Sequence, residues 1–361
     1  MIVLNRQLLD EIDQPGGLEK ALQKAIELEH ATLPPYLYSY YSLGADNYAA
    51  GSPNAEIANI ILSVIKEEML HFAIACNILN AIGGAPCIDK PDFIPVYPGP
   101  LPGGVESNLV VHLKRFSREH DHDTFMVIEE PETPLHFPVQ ALLAEKPVTI
   151  GQYYTKIRKK IEELGQSIFT GKPSLQVTGG SFPASELFPI LTVADAVKGI
   201  DIIKEQGEGT STSPLDPDGK LNLQDTFAHY YRFAEIYYGK ALQAVPNLPP
   251  GTPPDQRYRY DGPPIPFDES KVLPVIDDPS ESGYPPNTAA HYLNDNFNYA
   301  YTSLLKALHR AFNGHPEHLG PAIHLMHSLR ELALEMMTST TLPDGRNPGP
   351  SFEYQPVNPG R

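Results

Sequence analysis

The chain has 361 residues, 41% of them hydrophobic, so it can bury a substantial core as two domains or as one with large insertions. Its net charge of -17 argues against nucleic-acid binding, because an acidic surface repels phosphate backbones. The two cysteines give neither a disulfide framework nor a zinc pattern. The N-terminal residues do not resemble a signal peptide, and no apolar run approaches a membrane span. We therefore expect a soluble cytoplasmic protein that binds neither nucleic acid nor membrane.

Two long helices are predicted in the first part of the chain. Residues 17–41 carry apolar and small side chains at three-four spacing, as on one face of a helix. Pro34 and Pro35 lie inside this pattern and should kink or break the helix just after Glu29, because proline cannot donate a backbone hydrogen bond. Residues 54–82 form a second helical pattern, which ends at two glycines.

The next part of the chain reads as an insertion between helices. Residues 85–147 are rich in proline and glycine, and "NLVVHLKRF" and "TFMVIEE" within them resemble strands. A helix should begin near Thr149. Two further core helices are predicted at residues 192–206 and 223–244. The expected fold is therefore mainly α, a four-helix bundle with a partly irregular or β insertion between its second and third core helices.

The remainder is predicted to be an addition to this bundle. Residues 245–286 are rich in proline and show no helical pattern, so they should form a strap. Helical patterns return at residues 287–312 and 317–340.

The second helix carries polar residues on its apolar stripe. Glu68 and His71 lie in line with its buried isoleucines, whereas Glu67 points aside. Residues three apart differ by about 60° around a helix, so both inward side chains can reach one point. A buried, unpaired carboxylate is costly unless it is neutral, paired or bound to a cation. This pattern predicts that Glu68 and His71 are metal ligands.

The other core helices each offer inward acids or imidazoles by the same phase argument. Carboxylates and imidazoles without thiolates suit iron or manganese. Such residues projecting into a four-helix bundle are the ligands of di-iron and di-manganese proteins. We predict two irons per chain, with manganese as the alternative metal. The six predicted ligands are Glu29, Glu68, His71, Glu205, Glu208 and His229.

The last core helix departs from the usual pattern and leaves alternatives open. His229 is preceded at i−3 by Thr226, where the common motif has glutamate, so a mononuclear site remains an alternative. Asp225 could orient His229, and Arg232 could pair with Asp225 or Asp201. Asp201 itself could be a ligand, an outer partner of a ligand or a salt-bridge partner.

Two further histidine groups are weaker candidates for metal binding. His120 and His122 lie in an alternating run with aspartates, which is more often a solvated edge. In the last helix, two histidines and two glutamates share one face, an arrangement that is more often an ordinary polar surface than a metal site. Those four residues are His324, His327, Glu331 and Glu335.

The chain resembles a known family in five segments: "ELEHATLPPYLYSYYSL", "EEMLHFAIACNILNAIGGAP", "TIGQYYTKI", "IKEQGEGT" and "AHYYRFAEIYYG". They are similar to the ferritin-like domain of the iminophenyl-pyruvate dimer synthases, enzymes of violacein- and rebeccamycin-type biosynthesis. The resemblance covers residues 17–238. It implies a ferritin-like bundle over residues 1–245 with its insertion at 85–190, and a C-terminal extension packed on it over 246–361. By position, it implies the same six ligands.

The resemblance also implies an activity. The best-known members couple two imines of an aromatic 2-oxo acid oxidatively. We therefore expect an oxidoreductase that uses dioxygen on a small-molecule substrate, with Glu68, His71 and Glu205 as catalytic residues. The alternatives are iron storage or detoxification, and a non-catalytic ferritin-like binding protein. The sequence leaves the oligomeric state open, a homo-oligomer included.

Overall fold

The structure is a computed structural model, and it describes residues 8–104, 109–131, 148–179, 182–209, 213–214 and 227–355. Helices dominate these residues, and a small antiparallel pair of strands, β1 and β2, joins Gln243 to Arg259. The longer helices are α1 (Gly17–Ser42), α2 (Ala55–Ala81), α3 (Ile150–Leu164), α4 (Val193–Glu208), α5 (His229–Tyr238), α6 (Ala289–Ala311) and α7 (Leu319–Ser339). The strands are β1 (Gln243–Ala244) and β2 (Tyr258–Arg259).

Four helices form a closed ring. Helix α1 packs on α2, α2 on α4, α4 on α3, and α3 on α1. This confirms the predicted mainly α four-helix bundle. Helix α5 packs against α2 and α4 instead of taking a place in the ring. The helix of His229 was predicted to be the fourth helix of the bundle, but α3 takes that place.

Capping residues explain where two of the ring helices begin. The hydroxyl of Thr149 accepts from the backbone of Gln152, whose side chain in turn accepts from the backbone of Thr149. Thr192 and Asp195 make the same reciprocal pair at the start of α4. Such a capping box satisfies backbone donors that have no partner inside the helix.

The expected break in α1 does not occur. Pro34 and Pro35 both lie within the helix, which continues to Ser42. Proline at position 35 leaves the carbonyl of Ala31 without its usual intrahelical donor. The hydroxyl of Tyr97 donates to that carbonyl at 2.8 Å, so a side chain from the insertion replaces the missing backbone bond.

The predicted strands in the insertion are also wrong. Residues 118–128 are helical and include a turn of π-helix at Asp121–Phe125; we call them the insertion helix. The "NLVVHLKRF" segment, in its described part, contributes a single bridge between Val111 and Gly99. Ser117 caps the insertion helix, and the ring of Phe125 packs between those of Tyr36 and Phe233. Burial of this aromatic face favours the helix.

The C-terminal part packs on the ring at several points. Helix α7 contacts α1, and α6 and α7 pack on each other. The hydroxyl of Tyr301 lies 2.6 Å from Nε2 of His30 on α1, and the side-chain amide of Asn80 donates to the carbonyl of Phe312 at 2.8 Å. Within the described residues, no helix combines the length and the apolar character needed to cross a bilayer.

Candidate metal centre

Two groups of three buried side chains meet inside the molecule. Glu29, Glu68 and His71 form one group, and Glu68, Glu129 and His229 form the other. In each group, one possible ligand atom from every residue lies within 4.8 Å of the others. All five side chains are at least nine-tenths buried. The groups share Glu68, so they are two halves of one centre.

The ring supplies one half of this centre completely. Glu29 comes from α1, and Glu68 and His71 come from successive turns of α2. The other half also uses Glu68, but Glu129 follows directly on the insertion helix and His229 is the first residue of α5. The second half therefore depends on segments packed against the ring.

Glu68 lies between the two imidazoles. Its Oε1 is 3.4 Å from Nδ1 of His71 and 3.0 Å from Nδ1 of His229. Its Oε2 accepts a hydrogen bond of 2.7 Å from the hydroxyl of Thr32. The outer carboxylates are slightly farther away, with Oε2 of Glu29 at 3.7 Å from Nδ1 of His71 and Oε2 of Glu129 at 3.5 Å from Nδ1 of His229.

The far nitrogen of each imidazole has its own partner. Nε2 of His71 lies 2.8 Å from Oε1 of Gln206, and Nε2 of His229 lies 2.8 Å from Oε2 of Glu67. An imidazole that donates its proton through Nε2 carries a free lone pair on Nδ1. Both rings can therefore coordinate through Nδ1, which faces the centre.

Glu67 and Arg232 bind each other beside the centre. Glu67, which was predicted to point aside, belongs to neither three-residue group; it is buried and accepts hydrogen bonds from both His229 and Arg232. Arg232 also donates to the hydroxyl of Ser63 at 2.8 Å. The predicted partner Asp225 lies outside the described residues, and Asp201 pairs with Arg158 on α3.

Two buried tyrosines hold the outer carboxylates. The hydroxyl of Tyr154 on α3 donates to Oε1 of Glu29 at 2.5 Å, and the hydroxyl of Tyr36 on α1 donates to Oε1 of Glu129 at 2.7 Å. Each bond occupies one carboxylate oxygen and leaves Oε2 facing the centre.

The charges of the centre are strongly coupled. Burial raises the pKa of Glu29 to about 7. Burial disfavours the imidazolium form of His71, but the carboxylates of Glu29 and Glu68 outweigh it and raise its pKa to about 10. Burial would also raise the pKa of Glu67, but Arg232 and His229 lower it to about 2. Without a cation, therefore, the centre retains protons that a metal would displace.

The donor set fits a metal of the iron or manganese type. It consists of three carboxylates and two imidazoles, with no thiolate. Nδ1 of His229 is buried and makes no hydrogen bond, although Oε1 of Glu68 is only 3.0 Å away. A buried nitrogen without a hydrogen bond, 3.0 and 3.5 Å from the oxygens of two carboxylates, is the arrangement expected of a metal ligand.

The structure brings together four of the six predicted ligands: Glu29, Glu68, His71 and His229. Among the described residues, Glu205 belongs to neither group, and its side chain is half-buried on α4. The side chain of Glu208 lies outside the described residues.

The sequence argument missed Glu129. It lies in "TFMVIEE", whose helical spacing was hidden because the segment resembles a strand. Phe125 and Glu129 are four apart and joined by a backbone hydrogen bond, so they share a helical face. The sequence feature that could have led to it is the absence of a glutamate three residues before His229, which leaves room for a carboxylate from another segment.

The weaker histidine groups are placed elsewhere. His120 is buried and contacts Thr124, whereas His122 is half-exposed beside Asp123. The polar face of α7 is exposed at His324, His327, Glu331 and Glu335. Neither group forms a metal cluster in the part of the chain that the structure describes.

A pocket lies beside the centre, between the insertion helix, α3 and α4. Glu129 and Tyr154 form part of its wall, so it reaches one carboxylate of the second group and the tyrosine that holds Glu29. Lys204 lines it and donates to Thr155 at 2.8 Å. The rest of the described lining is Ile128, Glu130, Ile150, Gly151, Ile203 and Gly207.

Comparisons with known proteins agree with this fold. A family model described as ferritin-like matches residues 22–238. Dichlorochromopyrrolate synthase of Lentzea aerocolonigenes is 24% identical in an alignment of 391 positions, which covers 93% of this chain and 36% of the relative. This chain thus spans about a third of the length of that curated relative. The crystal structure of a ferritin-like protein from Caulobacter vibrioides superposes with a TM-score of 0.59 at 22% identity, covering 92% of this chain and 97% of that one.

Proposed function

Because the chain belongs to the ferritin-like family, we propose that it is a di-iron carboxylate oxidoreductase that uses dioxygen to oxidise or oxidatively couple a small organic substrate. The observation that carries the proposal is the pair of buried three-residue groups that share Glu68. The distant relative named as a synthase supports an enzymatic role over a purely structural one.

Each residue of the centre has a role in this proposal. Glu68 would bridge the two metals, since its Oε1 faces both imidazoles. Glu29 and His71 would hold one metal, and Glu129 and His229 the other. Two bound irons would supply the redox chemistry with dioxygen, and manganese is the alternative metal.

The surrounding residues fix the centre and shelter it. Tyr154 and Tyr36 hold the outer carboxylates, while Gln206 and Glu67 hold the imidazoles with Nδ1 turned inward. Three isoleucines, Ile128, Ile150 and Ile203, line the pocket beside Glu129, and they would favour an apolar part of a small substrate and exclude water during its oxidation.

The first test is the metal content of the intact chain, expressed with iron and manganese both available. We expect about two irons per chain, and loss of both in Glu68→Ala, because the shared carboxylate is removed. Glu335→Ala, which removes an exposed carboxylate on α7, serves as the control and should keep both metals. One metal per chain would favour the mononuclear alternative, and none after gentle purification would contradict the proposal.

The second test separates an oxidase from an iron store. The reduced, iron-loaded chain is supplied with an aromatic 2-oxo acid and ammonium, which form an imine, and dioxygen uptake is measured. We expect sustained uptake that depends on the organic substrate and is lost in His71→Ala with the fold intact. Uptake driven by added Fe(II) alone, with iron accumulating far beyond two per chain, would instead indicate storage.

A further inference from the structure

We infer that the two metal positions are unequal, and that the position at His229 holds its metal more tightly than the position at His71. The inference rests on the proposed two-metal centre and goes beyond it. Its basis is the group that lies behind each imidazole.

In the described contacts, the two positions are otherwise closely matched. Both share Glu68, and each adds one carboxylate and one Nδ1. The carboxylate of each position accepts a tyrosine hydroxyl through Oε1, at 2.5 Å for Glu29 and 2.7 Å for Glu129. Both imidazoles are buried and lie nearly parallel, with ring centres 5.3 Å apart. The direct ligands therefore give neither position an evident advantage.

The positions differ in the acceptor at Nε2. His71 meets the side-chain amide of Gln206, which is neutral, whereas His229 meets the carboxylate of Glu67. Both contacts measure 2.8 Å, and both acceptors are buried. The two acceptors thus differ in charge and not in distance. Arg232 donates to the same Glu67 oxygen and is itself held by Ser63, so the carboxylate is fixed in place and ionised.

A carboxylate acceptor makes the opposite nitrogen a better ligand. It attracts the Nε2 proton more strongly than an amide oxygen does, and electron density increases at Nδ1. The guanidinium of Arg232 offsets part of this effect but does not remove the charged hydrogen bond. Water does not screen the pair, because Glu67 and His229 are both buried. Changes to such outer partners typically alter metal affinity by about 10–100-fold.

This difference implies an order of loading. When iron is limiting, the position of Glu129 and His229 fills first, and the position of Glu29 and His71 fills second and exchanges more readily. The half of the centre contributed entirely by the ring is thus the weaker half.

The test is an anaerobic titration of the metal-free intact chain with Fe(II) against a competing chelator. We expect two dissociation constants that differ by about 10–100-fold. Glu67→Gln keeps the shape of the side chain but removes its charge, so it should weaken the tighter constant by a similar factor and leave the weaker one unchanged. Gln206→Glu is the matched reverse change and should strengthen the weaker constant.

Spectroscopy reports the order of filling independently of affinity. With one equivalent of ⁵⁷Fe, the Mössbauer spectrum of the wild-type chain should contain one dominant doublet. In Gln206→Glu the same amount of iron should divide between two doublets, since both imidazoles are then backed by carboxylates. Gln206→Glu replaces no direct ligand, so circular dichroism should show the fold unaltered.

Several outcomes would overturn the inference. Two irons bound with one common affinity would contradict the inequality while leaving the proposed function standing. So would a Glu67→Gln chain in which only the weaker constant changes. A chain that binds no iron would contradict both. If Glu67→Gln fails to fold because Arg232 loses its partner, the wild-type and Gln206→Glu titrations decide the question.

Discussion

At the scale of single residues, the centre depends on hydrogen bonds that set how each ligand is turned. Removing one hydroxyl in Tyr154→Phe would free Oε1 of Glu29 and allow that carboxylate to rotate. We expect iron affinity at that position to fall roughly tenfold, with helix content unchanged. Competition with a chelator measures the affinity.

The matched control for this change is Tyr292→Phe. Tyr292 lies exposed on α6, and its hydroxyl donates a hydrogen bond to the side chain of Asn287. Neither residue belongs to the two groups of the centre. Its loss should leave both iron affinities unaltered. Equal affinities in Tyr154→Phe and wild type would show that the tyrosine does not position Glu29.

Because the pKa of His71 is raised, the stability of the metal-free chain and its affinity for metal should change in opposite directions with pH. Its folded value of about 10 exceeds the ordinary 6.5, so the bound proton stabilises the metal-free chain below pH 6.5, and this contribution is lost as the pH rises through 10. A metal must displace that proton, so its affinity should increase over the same range, by roughly tenfold per pH unit for each proton released.

Thermal melts of the metal-free chain and Mn(II) titrations between pH 6.5 and 9 measure the two trends. The melting temperature should fall as the Mn(II) affinity rises. A Mn(II) affinity that stays flat across this range would mean that His71 does not carry a proton in the metal-free centre.

Helical phase was sufficient to identify residues that meet in the centre when they lie on long, regular helices. Glu29, Glu68 and His71 were found in this way, because their helices continue the apolar pattern on both sides. Glu129 and Gln206 were not found, because the first follows a short helix that resembles a strand and the second is an uncharged residue in contact with His71. Hydrogen bonds between distant segments leave no periodic signal.

At the scale of elements, the contact between α2 and α4 depends on Gly199. A Cβ added there would lie 2.8 Å from Cγ2 of Ile74, a β-branched carbon that cannot swing away. Gly199→Leu should push the helices apart and lower the free energy of unfolding by about 1–3 kcal/mol. Denaturant titration of the metal-free chain measures this cost.

Gly320→Leu on α7 is the control for the same substitution. A Cβ at Gly320 meets no atom within 4 Å beyond the neighbouring residues and backbone of its own helix, so this change should be neutral or slightly stabilising through its helix propensity. Equal destabilisation by both substitutions would mean that the close approach of α2 and α4 is not what Gly199 provides.

Element positions were predicted well where the sequence holds its own start signals. Thr149 marks the start of α3 through local hydrogen bonds. The continuity of α1 across Pro34 and Pro35 could not be foreseen, because the bond that compensates for it comes from Tyr97 in a separate segment. The start of a helix is thus predictable where the capping residues lie next to it in the sequence, and its continuity is not where a distant residue supplies the missing hydrogen bond.

At the scale of the whole molecule, the C-terminal part should unfold together with the ring. Asn80 on α2 donates both to the carbonyl of Leu175 and to that of Phe312 beyond α6, which ties three segments together. We expect one calorimetric transition for the intact chain. Asn80→Ala should lower the free energy of unfolding of the whole chain by about 1–3 kcal/mol while the transition stays single.

Asn296→Ala, at an exposed position on α6, should leave this transition in place. Two resolved transitions in the wild-type chain would contradict the expectation and show that the C-terminal part unfolds on its own. The sequence predicted the helices of this part but not its contacts, since those join residues more than 200 positions apart.

The division of the centre between the ring and its attached segments makes the two proposed metal positions separable in evolution. Glu29, Glu68 and His71 belong to helices that the bundle needs for its own stability. Glu129 and His229 stand at the edges of short helices packed outside the ring. A lineage could therefore shorten or replace the insertion, lose one metal position and keep the same scaffold. A single-metal protein and a two-metal protein would then differ in the segments packed on the ring and share the same bundle.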